Sequence, residues 1–194
     1  MNQDIFVVIE HLRGQVADIS YVMLAAARGL AQWSGGKVIA ILMGHNASNL
    51  SSIFNCDEVL YIDHPLLAEY TSDVYIKSLV ELIGSKQPRA VLFGHTSIGT
   101  DTVGGISARL GLPVISSCRT FEETGKCVCQ ICGGKIMAEG TLPTSTTLIT
   151  IVPGGYKPEQ GQSDQAPQVT TLPAPHFEGI RVTLKQYIEP ESTD

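Results

Sequence analysis

The chain has 194 residues, a size that a single domain with a well-buried core commonly reaches. Its net charge is −6, and charged residues make up 16% against 43% hydrophobic, which excludes the basic footprint of a protein that binds nucleic acid or anionic lipid. The most apolar windows, residues 5–9 and 38–43, are far shorter than the roughly 20 residues that cross a bilayer, so we expect no membrane span.

The amino terminus carries no recognisable export signal. Met1-Asn2-Gln3-Asp4 passes directly into an apolar run, without a basic region or a cleavage site of small residues, so we expect a cytoplasmic protein. The five cysteines are an odd number, and we expect them to be reduced thiols rather than a disulfide framework.

Up to Leu110 the sequence alternates between buried strands and amphipathic helices. Residues 5–9 form a continuous run of mainly branched apolar side chains, which is typical of a parallel strand covered on both faces. Apolar residues at three- and four-residue spacing then predict a helix over 18–33. Right-handed crossovers between such units predict an open, mainly parallel α/β sheet in three layers. The remaining predicted elements are strands over 37–43, 58–62 and 90–93 and helices over 47–54, 71–85 and 99–110, the last capped by Thr100 or Asp101.

Beyond Pro113 the apolar runs become short and are separated by Gly and Pro. This composition predicts an antiparallel extension of the sheet, with Gly133-Gly134 as a two-residue hairpin turn. The runs lie at 114–121, 127–132, 135–139 and 146–152.

The last part of the chain is predicted to leave the sheet and return. Residues 154–178 are rich in proline and polar residues and lack an apolar period, which predicts an extended linker loop. Residues 180–188 alternate between apolar and polar side chains, so a final strand is predicted within 179–189, followed by a tail of 190–194. The main α/β domain, with its hairpin extension, is then 1–153.

The loop after the strand at 90–93 is the candidate ligand site. Its N–H groups and hydroxyls precede a helix, whose positive end favours a phosphate, and open parallel sheets bind ligands at this edge. Glycine and hydroxyl residues are equally common in helix caps, and no Gly-x-Gly-x-x-Gly or Walker lysine is present, so a helix that is merely capped is the alternative. The cofactor-binding candidates are Glu10, Gly94, His95, Thr96, Ser97, Gly99, Thr100 and Asp101.

The sequence offers no defensible catalytic set. His95 and Asp101 are candidates for acid–base work, but a histidine at a strand end is equally served by a hydrogen bond to its loop. Ser97 lacks a nucleophile elbow. We therefore predict no catalytic residues and expect a non-catalytic protein.

Cys127, Cys129 and Cys132 invite comparison with a metal site. In a regular strand the first two share a face about 6.7 Å apart, while the third points to the opposite face. Thiolates on one zinc ion lie within roughly 4.6 Å of each other, so such a strand does not hold a metal. We expect no metal there.

Four stretches of the sequence together resemble one family. They are residues 5–11, residues 91–101 followed by 107–116, residues 131–135 with Met137-Ala138, and residues 147–154. In this order they are similar to the amino-terminal domain of electron-transfer flavoprotein alpha subunits, over approximately residues 4–188. Thr100 and Val152 stand where that family usually has arginine.

The resemblance implies a Rossmann-like, adenine-nucleotide-hydrolase-like fold and an architectural, partner-docking role in flavin-mediated electron transfer. In that family a beta subunit completes a heterodimer, dehydrogenases or quinone reductases are redox partners, and a carboxy-terminal domain supplies most FAD contacts. We expect that domain to be absent here, so that FAD belongs to the complex rather than to this chain alone. The alternative is a stand-alone adenine-nucleotide-binding module that senses AMP or a related nucleotide.

Overall fold

A nine-stranded sheet organises the chain, which the computed structural model describes over residues 2–188. The strands are β1 Ile5–Val8, β2 His11–Leu12, β3 Gln15–Val16, β4 Val38–Gly44, β5 Glu58–Asp63, β6 Ala90–Gly94, β7 Val114–Phe121, β8 Lys126–Ile131, β9 Ile136–Thr141, β10 Thr147–Ile151 and β11 Gln168–Leu172. The large sheet has the order β11-β5-β4-β1-β6-β10-β7-β8-β9, and β2 and β3 form a separate small hairpin.

Helices cover both faces of the parallel strands. Helix α1 (Asp18–Ser34) packs on one face, and helices α2 (Ser72–Lys86) and α3 (Ser97–Leu110) pack on the other. Strands β1, β4, β6 and β10 are buried along their whole length, as strands between two helical layers must be. The predicted three-layer, mainly parallel α/β fold is confirmed. Within residues 2–188, no helix combines the length and apolar character needed to cross a membrane.

The strand order creates a crevice between β1 and β6. From β1 the chain crosses through α1 to β4, whereas from β6 it crosses through α3 to β7 on the opposite side. The two strands are parallel neighbours, with Ile5 opposite Ala90 and Val7 opposite Leu92. Their carboxyl ends therefore flank the point where the strand order reverses, which is where open α/β sheets usually bind ligands.

The antiparallel extension is present, but it is smaller than predicted. Strands β7, β8 and β9 pair antiparallel as expected. The assignment of residues 146–152 to this extension is wrong, because β10 lies between β6 and β7 and runs parallel to both. Leu148, Ile149 and Ile151 are fully buried, and a strand that is apolar on both faces is stabilised only between two covering layers.

The hairpin between β8 and β9 is longer than the predicted two-residue turn. Ile131 pairs with Ile136, so four residues connect the strands. Cys132, Gly133 and Gly134 all adopt positive φ, and such a run of left-handed residues forms a wider loop than a two-residue turn.

The carboxy-terminal part of the chain differs most from prediction. Within the predicted linker, Pro158–Gly161 forms a 3-10 turn against α1, and β11 pairs with β5. The predicted strand over 180–188 is wrong, because none of these residues lies in a strand. β11 takes the position beside β5, and the segment instead lies against the α2 layer, where Ile180 packs and the Arg181 N–H donates to the Asp73 carboxylate. Residues 189–194 lie outside the described residues, and the limits of the domain at 1–153 stay a prediction.

Candidate functional site

The crevice between β1 and β6 is filled by a contact between two side chains. Glu10 follows β1 and is only 8% exposed, and Thr96 follows β6. The Thr96 hydroxyl lies 3.0 Å from each oxygen of the Glu10 carboxylate and donates to it. The same hydroxyl accepts a hydrogen bond of 3.0 Å from the Gly99 N–H. The structure thus brings together three of the predicted site residues, Glu10, Thr96 and Gly99. Their hydrogen bonds join them to one another.

Two glycines allow this close contact. A Cβ on Gly99 would lie 1.9 Å from the carbonyl oxygen of Gly94, and a Cβ on Gly94 would lie 2.4 Å from a carboxylate oxygen of Glu10. The obstacle at Gly99 is backbone and excludes a side chain there, whereas the obstacle at Gly94 is the flexible end of Glu10, which a side chain would displace. Gly99 is therefore needed for packing of the chain against itself.

The cap of α3 lies earlier than predicted. Thr96 is the N-cap residue, with an extended backbone and its hydroxyl on the Gly99 N–H. The prediction of Thr100 or Asp101 as the cap is wrong, because both lie inside the helix. Thr100 donates to the carbonyl of Thr96 at 2.6 Å, and Asp101 accepts from the Tyr70 hydroxyl at 2.8 Å. Ser97 begins the helix and is exposed.

The electrostatics of this crevice work against a phosphate. Burial raises the pKa of the Glu10 carboxyl, and hydrogen bonds from the Thr96 hydroxyl and the Gly94 N–H oppose that shift. Helix α3 presents its positive end here, and a protein carboxyl group already occupies it. A phosphate bound at Thr96 would have to displace the Glu10 carboxyl group or lie against it, so Glu10 competes with a phosphate for this hydroxyl, and the residues 94–101 stay a predicted site.

His95 points away from this contact into a second, open cleft. Its Nδ1 lies 3.0 Å from the Thr150 hydroxyl and its Nε2 lies 3.4 Å from the Ser117 hydroxyl, while Asp101 is bonded elsewhere. The predicted pairing of His95 with Asp101 is therefore not formed. The cleft has a volume of about 450 Å³ and is bordered by the β8–β9 hairpin. Sequence analysis missed Thr150, although a hydroxyl inside the apolar run 147–152 was a visible signal.

The cysteines separate into a buried group and one exposed thiol. Cys118, Cys127 and Cys129 are buried beneath α1, whereas Cys132 lies exposed in the hairpin loop. Burial, together with the neighbouring Cys127, raises the pKa of the Cys129 thiol to about 11. Burial also raises the pKa of Cys118. Thiols in this environment are weak nucleophiles. Over residues 2–188, no cluster of three or more histidine, cysteine or acidic side chains has the geometry to hold a metal ion.

Comparison with known proteins identifies the family. The family model described as "Electron transfer flavoprotein domain" matches residues 5–176. The chain belongs to this electron transfer flavoprotein domain family. The electron transfer flavoprotein subunit alpha of Thermoanaerobacterium thermosaccharolyticum is 33% identical over 163 residues, which are 80% of this chain and 49% of that protein. The acryloyl-CoA reductase electron transfer subunit beta of Anaerotignum propionicum is 31% identical over 62% of this chain and 34% of that protein. Protein FixB of Bradyrhizobium diazoefficiens is 26% identical over 88% of this chain and 45% of that protein.

These matches confirm the predicted resemblance to electron transfer flavoprotein alpha subunits. The chain spans about half the length, or less, of the curated relatives it matches. At the two positions where this electron transfer flavoprotein domain departs from the expected arginine, the side chains make local contacts. Thr100 bonds within its own helix, and Val152 is buried at the border of the His95 cleft.

Proposed function

We propose that this domain has an architectural role in flavin-mediated electron transfer, docking a beta-type subunit through β7, β8 and β9 while the flavin is held elsewhere in the complex. The heterodimer, its FAD, its dehydrogenase or quinone-reductase partners and its cytoplasmic location are parts of the same proposal. Support comes from membership of the family, from relatives that are named as subunits, and from a ligand crevice that the chain fills with its own side chains.

The open edge of the sheet at β9 carries this proposal. Within residues 2–188, β9 pairs only with β8, and its register runs from Ile136 to Thr141 without a bulge. Its sequence, Ile-Met-Ala-Glu-Gly-Thr, contains no Lys or Pro, the residues that usually protect an edge. Ile136 is 50% exposed and Met137 46% exposed. Glu139 is the one charged side chain of this strand and pairs with Lys126 of β8, so the edge as a whole is partly apolar and open to a partner protein.

One face of the extension also lacks a covering layer. Cys127 and Cys129 are buried on the face toward α1. On the other face, α3 packs on β6 and β10, and Val114 and Met137 are each exposed by 40% or more. Both the edge and this face therefore offer apolar surface to a docking subunit, and neither requires a ligand held by this chain.

The direct test is assembly with a beta-type subunit from the same organism. Size-exclusion chromatography with light scattering should show a 1:1 complex, and Ile136→Glu should weaken its Kd by about tenfold or more, the equivalent of about 1.4 kcal/mol. Val169→Glu is the matched control, because Val169 lies on the opposite edge strand β11 and is 41% exposed. It should bind like the wild type. The proposal would be contradicted if the wild-type chain formed no complex. An equal loss of affinity in both variants would show that the interface is not specific to β9.

The location of the flavin is tested in the same samples. After addition of FAD and gel filtration, the chain alone should retain no flavin absorbance. Calorimetric titration of the chain alone with AMP and ATP addresses the alternative of a nucleotide-binding module. Tight binding of a nucleotide by the isolated chain would favour that alternative and would contradict the proposal that the flavin is held elsewhere in the complex.

A further inference from the structure

Residues 180–188 have the pattern of a strand but lie in no sheet. Their apolar side chains alternate with polar ones, with Ile180, Val182 and Leu184 separated by Arg181 and Thr183. We propose that in the assembled complex this segment becomes a β-strand that pairs with an edge strand of the beta-type subunit. The inference rests on the proposed function, but it concerns a surface distant from β9 in the strand order.

The backbone of this segment has almost no partners in the described part of the chain. Its one hydrogen bond there runs from the Arg181 N–H to the Asp73 carboxylate, at 2.9 Å. In contrast, the neighbouring strand β11 pairs residue by residue with β5. Extended backbone groups that no strand pairs are available as a template for another chain.

The side chains of the segment are only partly buried. Ile180 packs at the edge of the core against the α2 layer. Val182 and Leu184 border a groove of about 210 Å³ beside Leu66 and Val74, yet they remain 45% and 43% exposed. The alternation that would give a strand a buried face is present, while the layer that would bury it is missing.

Surface contacts hold the end of the segment in place without pairing its backbone. The Tyr187 hydroxyl donates to the Glu69 carboxylate, and the Arg13 guanidinium lies 4.3 Å from the centroid of the Tyr187 ring. Exposed contacts of this kind contribute little to stability. A ladder of backbone hydrogen bonds to a partner strand would therefore compete well with them.

The chemistry of the segment favours a protein strand over a small ligand. Strand addition takes its affinity from main-chain hydrogen bonds and its specificity from alternate side chains, and both are what this segment offers. Relatives of the chain are named as subunits, so partner chains exist for members of the family. The beta-type subunit is accordingly the occupant that we test.

Hydrogen exchange gives the first measurement. In the chain alone, the amides of 180–188 should exchange rapidly, and in the complex with the beta-type subunit they should exchange at least about tenfold more slowly. Unchanged exchange in a complex that does form would overturn the inference. Protection in the chain alone that rises with its concentration would also overturn it, because the occupant would then be a second copy.

Proline substitution gives the second measurement. Thr183→Pro and Gln186→Pro each remove one N–H, and these positions face opposite sides of an extended strand, so one of them must remove a ladder bond. Proline keeps the preceding residue extended, and both side chains are exposed, so the isolated variants should match the wild type in circular dichroism and urea midpoint.

We expect one of the two proline variants to weaken the Kd by about tenfold, and Thr183→Ala and Gln186→Ala to leave it within about twofold. If both proline variants bind like their alanine controls, the segment does not pair with the partner. A wild-type chain that forms no complex would overturn the proposed function and this inference with it, whereas a complex insensitive to proline would overturn this inference alone.

Discussion

Replacing Gly99 with alanine tests whether the glycines of the loop are packing residues or ligand residues. The added Cβ would lie 1.9 Å from the Gly94 carbonyl oxygen, about 1.5 Å short of ordinary contact, and 3.2 Å from a Glu10 carboxylate oxygen. The obstructing oxygen belongs to the backbone, which shifts less readily than a flexible side chain. A clash this close with backbone should cost at least the upper end of the usual range for overpacking, about 3 kcal/mol, of which the better helix propensity of alanine returns about 1 kcal/mol. We therefore expect a net loss of about 2 kcal/mol or more in the free energy of unfolding.

Gly104→Ala is the matched control, because Gly104 lies in the same helix and a Cβ there would meet nothing within 4 Å. It should stabilise the protein by about 0.5–1 kcal/mol. For a chain of this size the two variants should shift Tm by about −4 to −8 °C and about +1 to +4 °C. Urea denaturation followed by circular dichroism measures both. A Gly99→Ala variant as stable as the wild type would refute the packing argument and would reopen the loop as a place for a ligand.

Three further predictions concern the crevice and the thiols. Because burial raises the pKa of Glu10, the stability contributed by its protonated form is present at low pH and is lost as pH rises through the raised pKa. The stability of Glu10→Gln relative to the wild type should consequently increase from about pH 4 to about pH 7 in paired urea titrations, and a constant difference would contradict the assignment. Thr96→Ala should lower the free energy of unfolding by about 1 kcal/mol or more in the same assay, whereas Thr96→Ser, which keeps the capping hydroxyl, should lose less than half of that. In the native protein Ellman's reagent should titrate Cys132 alone and, after denaturation, all five cysteines; rapid native reaction of Cys118 would show that the thiols beneath α1 are accessible.

The parallel core was predictable because its signals are local. A strand covered on both faces must be apolar at every position, and residues 5–9 and 90–93 show this directly in the sequence. Helix α1 was equally predictable, since its apolar residues at three- and four-residue spacing and the glycine that follows it both indicate a helix. The crossover rule then predicted one open sheet, but it did not predict the order of its strands.

The errors came from interactions that connect distant parts of the chain. The apolar run at 146–152 looks like any short strand, and only its insertion between β6 and β7 makes it parallel. The cap at Thr96 was missed because Thr100 and Asp101 have equally suitable side chains, and the decision depends on contacts with Glu10, 86 residues away. The segment 180–188 has a strand pattern without a strand: β11 pairs with β5, and the start of the segment lies against the α2 layer.

The hydrogen-bond partners of backbone and side-chain groups bear on what kind of molecule this chain binds. In the crevice, the Gly99 N–H is bonded to the Thr96 hydroxyl, and that hydroxyl is bonded to the Glu10 carboxylate. A nucleotide there would exchange formed hydrogen bonds for new ones and would bring a negative charge toward a carboxyl group. Unpaired backbone groups in the described residues also lie along the outer sides of β9 and β11 and along 180–188, and a second polypeptide satisfies rows of such groups better than a small molecule does. A nucleotide-binding topology therefore does not by itself assign nucleotide binding to this chain, and its exposed strand edges favour the docking role.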